Sequence, residues 1–204
     1  MDLVDWAGMS PSFRQASAIT RRRTRDRSLR NYRPLRGEME VETHLFPARD
    51  DIPNSSLPLL VLREAVGAED ATASAMTERF LDHGWQGCWT YTVFDYWHYH
   101  ADGHEVLGCV GGEAEIGFGG PGGIAARMRP GGVVVIPAGV GHRRLSATPD
   151  FAVVGAYPPG QSGTILRAGD RELTDAQKQI AALAMPPRDP VTGAQPGCLA
   201  AWHG

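Results

Sequence analysis

The stretch His98-Tyr99-His100-Ala101-Asp102-Gly103-His104-Glu105, together with a second stretch from Gly131 to Ser146, constrains this chain more than any other feature. His98 and His100 close a run rich in β-branched and aromatic residues, Trp89 to Trp97. On a strand, residues two apart share a face, so both imidazoles would point the same way. Asp102-Gly103 predicts a turn, and Glu105 opens a second apolar run to Val110, which returns a carboxylate beside the imidazoles. His142 would add a fourth arm. Neutral imidazoles with a carboxylate suit a divalent transition metal (iron, manganese, nickel or zinc), whereas calcium and magnesium prefer oxygen ligands throughout. One histidine alone reads as a hydrogen-bonded core residue. Four histidines and a glutamate at these spacings read as a metal site ligated by His98, His100, Glu105 and His142, with His104 as the understudy.

The spacing His98-x-His100-x4-Glu105-x6-Gly112, followed by Gly131-x5-Pro137-x-Gly139-x2-His142, resembles the two signature motifs of the cupin superfamily. Thr92 stands where those motifs carry a glycine before the first histidine, and Ser146 where an asparagine often follows the last; neither position is a metal ligand in the family. A longer likeness is to the small single-domain cupins of the YjlB type. It is carried by Ile52-Pro53-Asn54, Gly84-Trp85, Val93-Phe94-Asp95-Tyr96, His104-Glu105-Val106-Leu107-Gly108, Pro137-Ala138-Gly139-Val140-Gly141-His142, Val153-Val154-Gly155-Ala156-Tyr157-Pro158 and Asp189-Pro190-Val191. It runs from about Met39 to the C-terminus. The resemblance implies an all-β fold, the cupin double-stranded β-helix or jelly roll with one or two flanking helices, and a mononuclear metal; it lends little about substrate.

With 204 residues, 42% hydrophobic and 21% charged, the composition suits one domain with a sizeable core, and no apolar run approaches the length of a membrane helix. Cys88, Cys109 and Cys198 are odd in number and widely spaced, which argues against a disulfide scaffold or a zinc knot and for a reducing, cytoplasmic setting. Residues 1–36 differ in kind. They hold nine arginines against three acids, a net of +6, while the rest of the chain, with 11 basic and 20 acidic residues, carries −9. Like charge at that density, without amphipathic period, predicts a disordered extension over residues 1–38 and a single domain with an irregular tail over 39–204. The arm could be an upstream extension, a transit-like segment, a strap on the acidic body or a nucleic-acid contact. Nucleic acid is ranked lowest of these partners.

Within the domain, Val41 to Phe46 and Leu59 to Val66 read as strands, and Asp70 to His83 as a helix capped by Asp70 or Thr72 and stopped by Gly84. Gly117 to Gly123 is a hairpin turn between strands, since neither a helix nor Lys-Ser/Thr follows it as a phosphate loop requires. Val133 to Ile136 and Phe151 to Tyr157 are buried strands, and Thr174-x-x-Gln177 reads as a capping box on a short helix ended by Pro186-Pro187. If His98 and His100 face inward, so do Phe94 and Tyr96, leaving Tyr91, Val93, Trp97 and Tyr99 outside. Either the N-terminal strands or a second subunit must cover that apolar face, which points to a homodimer.

Four protein ligands leave two positions of an octahedral ion open, as in a catalytic site. The functional expectation is a metal-dependent oxygenase or isomerase acting on a small polar molecule, with His104 and Tyr96 as acid/base groups. The alternative is a non-catalytic cupin that binds or senses a small metabolite. Arg144, two residues beyond His142, either is solvated on a still irregular strand or faces the cavity, where it needs an internal carboxylate or an anionic ligand; the latter points to a carboxylate-bearing small-molecule substrate or effector.

Overall fold

The alternation of apolar residues along the strands decides the architecture. In a computed structural model describing residues 40–203, the strands are β1 (Glu42–Phe46), β2 (Ser55–Leu62), β3 (Gln86–Tyr91), β4 (Glu105–Gly111), β5 (Ala114–Phe118), β6 (Ile124–Met128), β7 (Val133–Ile136), β8 (His142–Ala147) and β9 (Ala152–Tyr157). They form a six-stranded sheet in the order β1-β2-β7-β4-β9-β3 and a three-stranded sheet in the order β6-β5-β8, with antiparallel pairing throughout. Leu59, Val61, Leu107, Cys109, Val134, Ile136 and Val153 of the large sheet interleave with Ala114, Ile116, Phe118, Ala126 and Met128 of the small one. This is a jelly roll, two sheets closed over one apolar interior.

The large sheet is buried on its other face too. Leu60, Leu62, Val106, Val133, Val135, Val154 and Ala156 pack beneath Met76 and Phe80 of helix α1 (Ala73–Asp82), Trp85, and Val191, Cys198, Leu199 and Trp202 of the C-terminal tail. A strand covered on both faces reads as a continuous apolar run rather than an alternation, which explains Val133 to Ile136. Thr72 caps α1 by accepting from the Ala75 amide at 3.3 Å, and Gly84 leaves it with φ of 86°. The helix lies so close to β4 that a Cβ at Gly108 would sit 2.7 Å from the Met76 sulfur.

Three local expectations are corrected. The run from Trp89 to His100 is not one strand: β3 ends at Tyr91, and beyond it His98 and Tyr99 make only single bridges, to His142 and Leu166. The alternation therefore slips. Val93, expected outside, is buried in the interior, and Tyr99, expected to need outside cover, is buried against Ala176 of helix α2 (Leu173–Ala181) with Leu166 and Ile180. Helix α2 begins one residue before Thr174, which leaves that side chain inside the helix rather than at a cap. The tail, expected to be irregular, ends in a 3-10 helix (Gly197–Trp202). It is tied down by Trp85 Nε1 donating to Arg188 O (3.0 Å) and by Trp202 Nε1 donating to Pro58 O (2.8 Å), and it is braced internally by buried Asp189, whose carboxylate accepts from the Val191, Thr192 and Cys198 amides. The Arg-rich segment assigned to residues 1–38 lies outside the described residues. No described helix is long and apolar enough to cross a membrane.

Candidate metal centre

The His98 and His142 backbones hold each other in an antiparallel bridge: His142 N donates to His98 O at 2.9 Å and His98 N to His142 O at 3.2 Å. Their imidazoles are thereby brought to 4.1 Å between centroids. His100 follows two residues on, with ring centroids 5.6 Å from His98 and 5.4 Å from His142. One nitrogen from each of the three rings falls within 4.8 Å of the others. Glu105, the first residue of β4, joins from the large sheet, with Oε2 3.4 Å from His142 Nε2 and 3.6 Å from His100 Nε2. All four side chains are buried, at 1–5% exposure.

The tautomers follow from the hydrogen bonds. His98 Nδ1 lies 3.0 Å from Tyr96 O, His100 Nδ1 3.0 Å from Thr164 O, and His142 Nδ1 3.1 Å from Val140 O. A carbonyl can only accept, so each Nδ1 carries the proton and donates it. In the neutral ring, the Nε2 lone pair is then free for another partner, and such backbone bonds also fix ring orientation. Burial and the neighbouring imidazoles His142 and His100 push the His98 pKa far down, so this ring is neutral. For His100, burial works in the same downward direction but is outweighed by the Glu105 charge and hydrogen bond, and the net shift is upward. Glu105 itself, despite the upward push of burial, is held well below the usual carboxylate range by His100 and His142. The site is an anionic oxygen facing imidazole nitrogens, all of them buried.

Loop geometry supports this arrangement. Gly139, with φ of 92°, leaves no room for a Cβ, which would sit 2.3 Å from Asn54 O, and its amide donates to His100 O at 2.8 Å. Asn54 holds the same loop: Oδ1 accepts from Gly141 N at 3.2 Å while Nδ2 donates to Pro47 O at 2.7 Å. On the other side, Asp102 accepts from the Thr164 amide at 3.1 Å and from Ser162 Oγ at 2.8 Å, steadying the carbonyl that orients His100. Sequence reasoning missed Asn54, Asp102 and Thr164 as supports, because their partners lie far away along the chain.

A match to the family model described as "Cupin" spans residues 96–167, which contains all four side chains of the cluster. The uncharacterized protein YjlB of Bacillus subtilis (strain 168) is 42% identical over 167 residues, covering 81% of this chain and 98% of that protein. The chain is a YjlB-type cupin. Among solved structures, an 11S allergen from Cocos nucifera is matched with a TM-score of 0.33 and 13% identity, over 67% of this cupin and 39% of that chain.

The remaining residues singled out in the sequence are placed differently. His104 is next to Glu105 but faces the opposite side of the sheet, as neighbours near a strand do. Its ring packs 4.9 Å from Trp202 and its Nδ1 accepts the Ala138 amide at 3.0 Å, with burial lowering its pKa from 6.5 to about 4. It is not brought to the three imidazoles. Tyr96 is: its ring lies 5.7 Å from His98 and 5.0 Å from Phe94, and the Arg167 guanidinium stacks 3.9 Å over it. Arg144 pairs in register with inward Ile116, is half-buried, and donates from Nη1 to Thr92 Oγ1 at 3.1 Å. Among the described residues neither Arg144 nor Arg167 forms an ion pair with a carboxylate.

Proposed function

We propose that this cupin is a mononuclear metal enzyme: His98, His100, Glu105 and His142 hold a divalent iron, manganese, nickel or zinc ion, and the centre serves an oxygenase or isomerase reaction on a small polar metabolite bearing a carboxylate. The observation that carries the reading is the commitment of all three Nδ1 protons to backbone carbonyls, which leaves three Nε2 atoms and one Glu105 oxygen directed at a common region. That donor set fits such an ion, and four donors are fewer than the six an octahedral ion accepts. A metal bound there supplies Lewis acidity, and iron or manganese adds redox capacity. The chain's own residues would orient the substrate and exclude water. Arg144, with guanidinium donors beyond the one given to Thr92, suits a carboxylate. Tyr96, beside His98, is the acid/base candidate on the site's own side; the placement of His104 against Trp202 suits a buttress for the loop that delivers His142.

The test is metal analysis of untagged protein, followed by reconstitution with each of the four ions and a panel of small keto and hydroxy acids, reading oxygen uptake and products. A stoichiometric metal lost in Glu105→Gln, with turnover that weakens at least about tenfold in Arg144→Met, is the expected result. Protein that binds no ion overturns the reading. Tight acid binding without turnover assigns instead a binding or sensing cupin.

A further inference from the structure

Glu105 has a neighbour that the metal reading does not use. Val106 pairs with Ala156, so one step along the same antiparallel ladder Glu105 stands beside Tyr157 on the same face of the sheet. The Tyr157 ring lies edge-on to His100 at 6.3 Å. Its hydroxyl oxygen accepts the Trp89 Nε1 proton at 2.9 Å. Both side chains are hemmed in by glycines: a Cβ at Gly155 would fall 2.2 Å from the Trp89 ring, and one at Gly163 would fall 2.3 Å from the Tyr157 hydroxyl. The pair has no room to swing. An oxygen that receives an indole proton still has its own proton to give, and the carboxylate beside it on the ladder is that of Glu105.

We propose that Tyr157, steadied by Trp89, is a positioning residue that donates to the Glu105 carboxylate and holds it so that a single oxygen, Oε2, is offered to the imidazole cluster. Oε2 is the Glu105 oxygen that lies within 3.6 Å of both His100 and His142. A carboxylate pinned in this way cannot rotate to offer both oxygens, so a position on a bound ion stays available for substrate. This rests on the metal-site reading above, and it adds two residues, Trp89 and Tyr157, that the signature motifs do not contain.

The experiment is competition titration of cobalt(II), with its visible absorption spectrum, on wild type, Tyr157→Phe, Trp89→Phe and Tyr99→Phe. Tyr99 is the control, because its hydroxyl is also buried yet has no hydrogen-bond partner. Loss of the bond that orients a ligand should weaken cobalt about ten- to hundredfold in Tyr157→Phe, less in Trp89→Phe, and not measurably in Tyr99→Phe. The spectrum of Tyr157→Phe should move toward higher coordination as the freed carboxylate offers its second oxygen, and that of Tyr99→Phe should not move. Wild-type affinity and spectrum in Tyr157→Phe overturn the proposal, as does an equal loss in Tyr99→Phe. Should Tyr157→Phe not fold, wild-type affinity and spectrum in Trp89→Phe overturn it instead. Those outcomes leave the metal site standing; a wild type that takes up no cobalt overturns both.

Discussion

The two faces of the large sheet bury comparable numbers of side chains to opposite ends. Inside the barrel, His98, His100, His142 and Glu105 are buried, and although each Nδ1 is spent on a carbonyl, a ring nitrogen of each histidine and a Glu105 oxygen stay turned toward one another. On the outer face, His104 is equally buried, but its Nδ1 is satisfied by an amide and its ring is covered by the C-terminal tail at Trp202. Burial therefore does not distinguish a candidate ligand histidine from a structural one. What distinguishes them is which atom the surroundings leave open.

The largest expected effect removes the outer cover. Asp189→Ala strands the buried Val191 and Cys198 amides and Trp202→Ala opens a cavity beside His104; each should cost about 3–5 kcal/mol in urea unfolding while the folded fraction keeps its metal affinity. A parallel loss of metal affinity would show that the two faces are not independent. The next effect is in pH. Because burial holds folded His104 near 4, against 6.5 unfolded, its neutral ring contributes full stability above pH 6.5, and that contribution is lost as pH falls from 6.5 toward 4. Metal-free wild type should accordingly lose about 2–4 kcal/mol more between pH 7 and pH 4 than His104→Asn, whose side-chain oxygen can still accept the Ala138 amide. Equal pH profiles would place the titration elsewhere.

On the inner face, Glu105→Gln should leave the fold intact and weaken metal by at least about tenfold, or ~1.4 kcal/mol, by removing the cluster's anionic side chain. Unchanged metal content in elemental analysis would remove Glu105 from the site. Arg144→Met should cost about 1 kcal/mol of stability or less, the worth of one hydrogen bond to Thr92, and show its effect in acid binding. Smallest of all, deleting residues 1–36 should shift Tm by no more than a few degrees, since nine arginines and little apolar surface offer the domain little to bury. A large drop would mean that the arm docks on the acidic body.

Much of the site is legible in one dimension because its spacing is local. His98 and His100 lie two apart, Glu105 follows one turn later, and Gly139 sits just before His142, so the motif survives even though the segment carrying the first two histidines is bent rather than a regular strand. The phase of that segment was not legible. Alternation predicts Val93 outside, whereas the break after Tyr91 turns it into the interior, because irregular backbone loses the two-residue period.

The sequence by itself determined the family, the strand-rich fold and the hairpin at Gly117 to Gly123, and it singled out the residues proposed to bind a metal, since each depends on residue type and short spacing. Only the tertiary structure decided that His104 faces Trp202 rather than the cluster, that the C-terminal tail is pinned through Asp189, and that Asn54, Thr164, Trp89 and Tyr157 surround the site. Apart from the Asp189 bonds, which lie within the tail, those contacts join residues 64 to 98 positions apart, or turn on which face of a strand a side chain takes. Neither is written in local periodicity, because the free energy that selects them comes from closing two sheets over a shared core.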